Sequence, residues 1–143
     1  MVKAIPEGYH SIQPYLVSKD AGKIIEFARK AFGAEELMRM PGPDGGVMHA
    51  EFKIGDSIVM TGGAPDQASQ PATVLFYTEG VDEVYKRALQ AGGTSEREPE
   101  DQFYGDRTAG VKDPAGNTWW IHTNVEQVSE QEMEKRMKEM APA

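Results

Sequence analysis

The sequence contains no cysteine, which excludes a disulfide framework, catalytic thiolates and cysteine-ligated zinc. It has no apolar run near the roughly 20 residues that a membrane-spanning helix needs. Basic residues are also few, since 15 Lys and Arg stand against 23 Asp and Glu and the net charge is −8. Such a chain is poorly suited to nucleic acid or acidic membranes, whose phosphates attract basic patches. We therefore expect a cytoplasmic protein without nucleic-acid or membrane partners, because no apolar signal core is visible near residue 1.

The first half of the chain predicts a strand, a helix and three further strands. Pro14 cannot donate to a strand ladder, so the first strand is expected at a sheet edge. Asp20 is the candidate N-cap of the helix. Residues 47–54 alternate between apolar and polar, with Met48, Ala50, Phe52 and Ile54 expected under the helices and His49, Glu51 and Lys53 on the opposite face. The predicted strands are residues 11–17, 35–40, 47–54 and 57–61.

The second half repeats this order. Aligning Gly33 with Gly92 also aligns Ala50 with Ala109, in one register from the helix through the hairpin. A short strand is expected at 94–97, followed by an acidic loop that contains proline. The predicted units are module one at 10–62, a Gly-, Pro-, Ser- and Gln-rich linker at 62–71 and module two at 72–124, all within one domain at 1–128.

Residues 129–143 predict a C-terminal helix and tail. Ser129 and Glu132 have the spacing of a capping box, in which each side chain satisfies a free N–H of the first turn. Met133, Met137 and Met140 recur on one face of this helix. We expect that face to pack on the sheet or on a partner subunit, and a flexible methionine-lined binding surface is the alternative.

Several motifs resemble one family. They are the segments Pro14–Val17, Ala31–Glu36, Met48–Glu51, Phe103–Arg107 and Asp113–Trp120. They are similar to those of the glyoxalase/bleomycin-resistance/extradiol-dioxygenase (vicinal oxygen chelate) superfamily, and closest to its bacterial demethylubiquinone-methyltransferase-like branch. The resemblance implies an α+β fold in which two βαβββ modules form a curved mixed sheet around a concave pocket, with a C-terminal helix added.

Enzymes of this superfamily hold a divalent metal with ligands from the first and last strand of each module. The resemblance places these residues at the four positions: Gln13, Met60, Ala72 or Thr73, and Trp119 or Trp120. Gln13 offers an oxygen for a hard cation, whereas the thioether of Met60 suits soft metals. We therefore predict no cofactor, and no metal at the family positions.

The expected ligand pocket lies on the concave face. Its candidate residues are Gln13, Tyr15, His49, Glu51, Tyr104, Arg107, Trp120 and His122. Arg107 offers a planar fork for carboxylate or phosphate, oriented by Asp106, or else it pairs with another loop. By alternation only one of Trp119 and Trp120 faces the pocket, and the sequence does not decide which.

Three functions are consistent with these residues. The first is a protein that binds a small aromatic or anionic molecule in the concave sheet. The second is a metal-dependent lyase, dioxygenase or transferase with a relocated metal site at His49 and Glu51, against which stands a plain ion pair of Glu51 with Lys53 or Arg107. The third is a metal-free enzyme in which His49, Glu51 or His122 does acid–base work. The resemblance also implies a homodimer, with or without exchange of modules.

Overall fold

The computed structural model describes residues 2–63 and 67–140. Its elements, in chain order, are β1 (Tyr15–Val17), α1 (Ala21–Phe32), β2 (Glu35–Pro41), β3 (Val47–Ile54), β4 (Ser57–Gly62), β5 (Thr73–Tyr77), α2 (Val81–Gln90), β6 (Thr94–Asp101), β7 (Asp106–Lys112), β8 (Thr118–Asn124) and α3 (Glu130–Met140). This is the predicted fold class, two βαβββ modules followed by a C-terminal helix.

Each module forms one four-stranded mixed sheet. The strand orders are β1-β4-β3-β2 and β5-β8-β7-β6. The first strand of each module pairs in parallel with the last, and the remaining pairs are antiparallel. β1 lies at a sheet edge, as Pro14 predicts, and this proline also shortens the strand from the predicted 11–17.

The helices α1 and α2 cover one face of the two sheets and contact one another. Ala50 and Phe52 of β3 are fully buried beneath them, as predicted by the alternation in 47–54, whereas Met48 is 43% exposed. Phe32 at the end of α1 packs against Phe76 and Trp119 of the second module. A single apolar core therefore joins both modules and leaves the opposite face of each sheet without a helix.

Three local details differ from what the sequence suggests. Asp20 is the N-cap residue of α1, as predicted, but its side chain makes no capping hydrogen bond. The predicted acidic loop after Arg97 is instead the second half of β6, where a register irregularity between Arg97 and Glu100 accommodates Pro99 on an edge strand.

The third correction concerns α3, whose methionine face does not pack on the sheet. No residue of α3 is buried, and Met137 and Met140 are both more than half exposed. Ser129 caps the helix by accepting a hydrogen bond from the N–H of Glu132, at 3.1 Å, as predicted. Arg136 holds α3 in place by donating to the Phe103 carbonyl. The partner-subunit surface remains a prediction.

Of the predicted linker 62–71, residues 64–66 lie outside the described part. Beyond them, the N–H of Gln70 donates to the carbonyl of Val17. Among the helices of residues 2–63 and 67–140, none is long and apolar enough to cross a membrane.

Candidate functional site on the open face of the second sheet

Trp119 and Trp120 lie on opposite faces of β8. Trp119 is completely buried in the core, where its indole N–H donates to Asp113. Trp120 therefore lies on the open face, and alternation places His122 on the same face two residues later. The structure thus decides which tryptophan faces the candidate site.

Trp120 occupies space left by a glycine. Gly110 is its direct partner on β7, and a Cβ built there would lie 2.4 Å from Cζ3 of the indole. Arg97, the partner of Gly110 on β6, places its guanidinium 4.8 Å from the centroid of the Trp120 ring. Three adjacent strands therefore contribute to one cation–π stack.

The Arg97 guanidinium has no carboxylate partner in the described part of the chain. Arg29, Arg39, Arg107 and Arg136 each form an ion pair, whereas Arg87, exposed on α2, forms none in the described residues. Arg97 instead donates from Nη2 to the Thr108 hydroxyl, while its Nε is buried without any hydrogen-bond partner. Its Nη1 has no hydrogen-bond partner among the described residues and is not fully buried, so it retains some contact with solvent. The positive charge of Arg97 is thus held beside an aromatic ring, and its Nε and Nη1 atoms make no hydrogen bond with the described residues.

His122 forms a buried pair with Asp106 of β7. The Nδ1 of His122 lies 3.0 Å from Oδ2 of Asp106, and both residues are almost fully buried. Tyr77 donates to the same oxygen at 2.7 Å, and the Asn124 amide donates to Oδ1 at 3.0 Å. Burial raises the pKa of Asp106, but the hydrogen bonds from Asn124, His122 and Tyr77 outweigh it and hold the pKa below its usual value.

Tyr104 closes one side of this group. Its ring stacks on that of His122, with centroids 6.3 Å apart. Burial and the charge of Asp106 raise the pKa of Tyr104, and the charge of Arg97 opposes them. Tyr104 therefore carries a neutral hydroxyl near neutral pH and adds an aromatic wall to the open face.

A different polar cluster occupies the open face of the first sheet. Tyr9, from the N-terminal segment, donates to Oε1 of Glu51. His49 contacts the other oxygen through Nε2 at 2.8 Å, and its Nδ1 lies 3.2 Å from the Tyr15 hydroxyl. Burial raises the pKa of Glu51, but the hydrogen bonds from Tyr9 and His49 outweigh burial and hold the pKa below its usual value. The carboxyl is therefore ionised near neutral pH. These groups satisfy one another.

Two predicted site residues are not brought to the open faces in an available form. The Oε1 of Gln13 accepts the backbone N–H of His10 at 2.7 Å, so it closes a local turn. Arg107 lies on the helix-covered face, where it pairs with Asp82 of α2 at 2.7 Å and with Asp101 at 3.2 Å. Asp106 faces the other way and does not orient Arg107. The structure therefore brings together Tyr104, Trp120 and His122 in one sheet, and Tyr15, His49 and Glu51 in the other.

A larger cavity lies elsewhere in the described residues. It has a volume of about 690 Å³ and runs along the free edge of β5, bounded by residues 10–14, the β3–β4 turn and α2. Its lining is mainly apolar, with Ile12, Ile58, Val74 and Phe76 among its members. Arg87 also lines this cavity, but it is exposed on α2, whereas Arg97 is half-buried and stacked on an indole.

Comparison with known proteins places the chain in a family. The model of the glyoxalase/bleomycin resistance protein/dioxygenase superfamily matches residues 9–121. The chain belongs to this superfamily. An uncharacterised protein of Mycobacterium bovis is 35% identical over 139 residues, which cover 89% of this chain and 91% of that protein.

Solved structures agree in fold. TioX from Micromonospora sp. ML1 superposes with a TM-score of 0.68 at 22% identity, covering 80% of this chain and all of TioX. A lactoylglutathione lyase from Agrobacterium tumefaciens gives 0.62 at 20% identity, covering 82% and 94% of the two chains. Likeness at this level of identity establishes the shared fold alone.

The residues at the family's metal positions do not fit a hard divalent cation. Trp120 carries an indole stacked under Arg97, Met60 offers only a thioether, and the Gln13 oxygen is already engaged. Within residues 2–63 and 67–140, no group of three or more His, Cys, Asp or Glu side chains is arranged to hold a metal. At the alternative site, Glu51 and His49 are bound to each other and to two tyrosines.

Sequence reasoning missed Tyr9 and Arg97. Tyr77 was expected to supply a stacking surface, and its ring does contact that of His122, but its hydrogen bond to Asp106 was not predicted. Arg97 was obscured because residues 98–101 were predicted as a loop, which removed the register that sets Arg97 opposite Gly110. The signal for Arg107 was present, because alternation groups it with Ala109 and Val111 of the core.

Proposed function

We propose that this protein binds a small aromatic anion on the open face of the second sheet, beside Arg97 and Trp120. The observation that carries the proposal is the Arg97 guanidinium, which has no carboxylate partner among the described residues, stacks on an indole and leaves Nη1 without a hydrogen bond. A carboxylate or phosphate would supply the missing charge, and hydrogen bonds to a charged group contribute about 1.5–3 kcal/mol. The rings of Trp120 and Tyr104 would contact the aromatic part of the ligand.

The experiment is a fluorescence titration with 4-nitrobenzoate and phenyl phosphate, using 4-nitrobenzamide as the neutral match. The nitro compounds quench indole, so Trp120 reports nearby binding, and Trp120→Phe leaves Trp119 as the background. We expect saturable binding of the anions and much weaker binding of the amide. Arg97→Gln should weaken anion binding at least tenfold, which corresponds to about 1.4 kcal/mol.

The matched control is Arg29→Gln, which removes an exposed arginine paired with Glu26 on α1. The proposal would be refuted if the wild type and Arg97→Gln bound 4-nitrobenzoate with equal affinity. It would also be refuted if the wild type bound 4-nitrobenzoate and 4-nitrobenzamide equally well. We favour this function over the relocated metal site because His49 and Glu51 already use their donor and acceptor atoms on each other and on tyrosines.

The proposal includes a cytoplasmic homodimer without a resident cofactor, in the demethylubiquinone-methyltransferase-like branch. The resemblance of the motifs supports the branch and the dimer. The half-exposed Leu75 and the apolar cavity along the free edge of β5 are suited to burial against a second copy. Light scattering on the purified chain tests this, and a monomer at micromolar concentration would contradict it.

A further inference from the structure

The two histidines on the open faces differ in one respect that bears on chemistry. His49 has both ring nitrogens engaged, Nε2 by Glu51 and Nδ1 by Tyr15. His122 has only Nδ1 engaged, by Asp106. Its Nε2 has no hydrogen-bond partner among the described residues and is not fully buried, although the His122 side chain as a whole is only 7% exposed. Of these two imidazoles, His122 alone has a nitrogen available to a bound molecule.

Asp106 fixes the state of that nitrogen. An ionised carboxylate is only an acceptor, so in the neutral imidazole of His122 the proton stays on Nδ1 and Nε2 carries a lone pair. Three donors hold Asp106 in place, namely His122, Tyr77 and Asn124. They also keep its pKa low against the effect of burial, so it remains anionic. A carboxylate held in this way also stabilises the imidazolium that forms when Nε2 takes up a proton.

The proposed binding surface lies next to this nitrogen. Trp120 and His122 are two residues apart on the same face of β8, about 7 Å along the strand. Arg97 donates to Thr108, which is the direct partner of His122 across the β7–β8 ladder. A ring placed beside Arg97 and Trp120 is therefore within reach of Nε2, with a guanidinium on one side to stabilise negative charge.

We propose that His122 is a general base that accepts a proton from a small, weakly acidic aromatic compound bound beside Arg97. This inference rests on the proposed binding function and adds a reaction to it. The proton of an activated C–H or O–H bond moves to Nε2, and the bonding electron pair stays on the ligand. The resulting anion is stabilised by Arg97, and the imidazolium returns the proton to water. Asp106 acts as a positioning residue.

The ionisable groups in contact with His122 are Asp106 from β7, Tyr77 from β5 and Tyr104 from the turn before β7. Arg97 from β6 lies on the same face and donates to Thr108, the strand partner of His122. The two tyrosines have raised pKa values, Tyr77 chiefly through its hydrogen bond to Asp106 and Tyr104 chiefly through burial. They therefore stay neutral in the range where histidine titrates, so the rate should follow one ionisation.

The test uses 5-nitrobenzisoxazole, an aromatic carbon acid whose reaction needs only a base. The base removes the proton from C3, the C–H electron pair forms the nitrile, and the N–O bond breaks to leave a coloured phenolate. We expect the full chain to exceed an equal concentration of free imidazole by at least about 10²-fold, the lower range for positioned general bases. The rate should rise with pH through a single ionisation.

The variants separate a base from a structural role. His122→Ala and the closer isostere His122→Gln should both lose the acceleration at least about 10²-fold, whereas the exposed His10→Ala should not change it. Asp106→Asn should lower kcat with little change in KM. A two-bond ¹⁵N–¹H spectrum of the wild type should show the Nδ1–H tautomer of His122, without relying on any variant.

A rate no greater than that of imidazole, or an unchanged rate in His122→Gln, would overturn the inference. If 4-nitrobenzoate still binds in that case, the proposed role of His122 as a base is refuted, but the proposed binding function stands. If acceleration depends on His122 but 4-nitrobenzoate does not bind, the base stands and the anion-binding proposal fails. An Nε2–H tautomer would overturn the inference by itself.

Discussion

Replacing Gly110 by alanine should disrupt the surface formed by Trp120. The new Cβ would lie 2.4 Å from Cζ3, 2.8 Å from Cε3 and 2.9 Å from Cη2 of the indole. Three ring atoms are thus inside van der Waals contact, so the indole must tilt or β7 and β8 must separate. The ring cannot tilt freely, because Arg97 is stacked on it.

The magnitude follows from two opposing terms. Overpacking a well-packed site costs about 1–3 kcal/mol. Exchange of glycine for alanine also restricts the unfolded chain, which stabilises the protein by about 0.4–1 kcal/mol where the native backbone permits it. Gly110 does not have a positive φ, so this second term applies. We therefore expect Gly110→Ala to lower the free energy of unfolding by roughly 1–2 kcal/mol.

Urea unfolding followed by far-ultraviolet circular dichroism measures this change. The matched control is Gly46→Ala, where no atom lies within 4 Å of the new Cβ and φ is also not positive. That variant should be neutral or slightly stabilised. Gly110→Ala should in addition change the emission of Trp120 and weaken 4-nitrobenzoate binding. Equal stability and equal emission in the two variants would show that Trp120 does not lie over Gly110.

Three further results are expected. Asp113→Ala should lower the free energy of unfolding, measured by urea denaturation, by at least about 3 kcal/mol. The reason is that four donors, including the buried Trp119 indole, lose their acceptor. A loss below about 1 kcal/mol would contradict this. Glu51 and Asp106 have lowered folded pKa values, so the unfolded chain binds more protons and stability present above about pH 5 should fall on acidification. Glu51→Gln and Asp106→Asn should each flatten this dependence of Tm on pH. Arg136→Ala should speed amide hydrogen exchange in α3 but not in the sheets, since that side chain connects α3 to the Phe103 carbonyl.

The fold was predictable because its signals are local and occur twice. Alternation in 47–54 identifies Ala50 and Phe52 as buried, and the structure confirms both. The path of β6 was not predictable in the same way. Whether Pro99 ends a strand or sits at an irregularity depends on the register with β7, which is a long-range pairing that no local pattern encodes.

The candidate site shows the same division. Tyr104, Trp120 and His122 were predicted together, since two of them share a strand face. The choice between Trp119 and Trp120 needed tertiary information, because Asp113 supplies the buried acceptor that allows Trp119 to lie in the core. The role of Arg97 depends on Gly110, which lies on β7 between Arg97 on β6 and Trp120 on β8 and leaves room for the indole.

The two modules share one backbone arrangement, but their open faces carry different side chains. In module one Glu51 of β3 pairs with Met60 of β4. The corresponding pair in module two is Gly110 of β7 with Trp120 of β8. His49 opposite Gly62 corresponds likewise to Thr108 opposite His122, so the histidines occupy non-equivalent strands.

The two open faces therefore differ in whether their polar and charged groups find partners within the described residues. In the first module the N-terminal segment brings Tyr9 onto Glu51, and the donors and acceptors of that cluster are used within the chain. In the second module the Arg97 charge and the Nε2 of His122 remain without internal partners. Buried or half-buried polar groups are retained at a cost in stability unless something binds them. Binding and proton transfer are therefore to be sought in the second module, where those two groups share one face beside an indole.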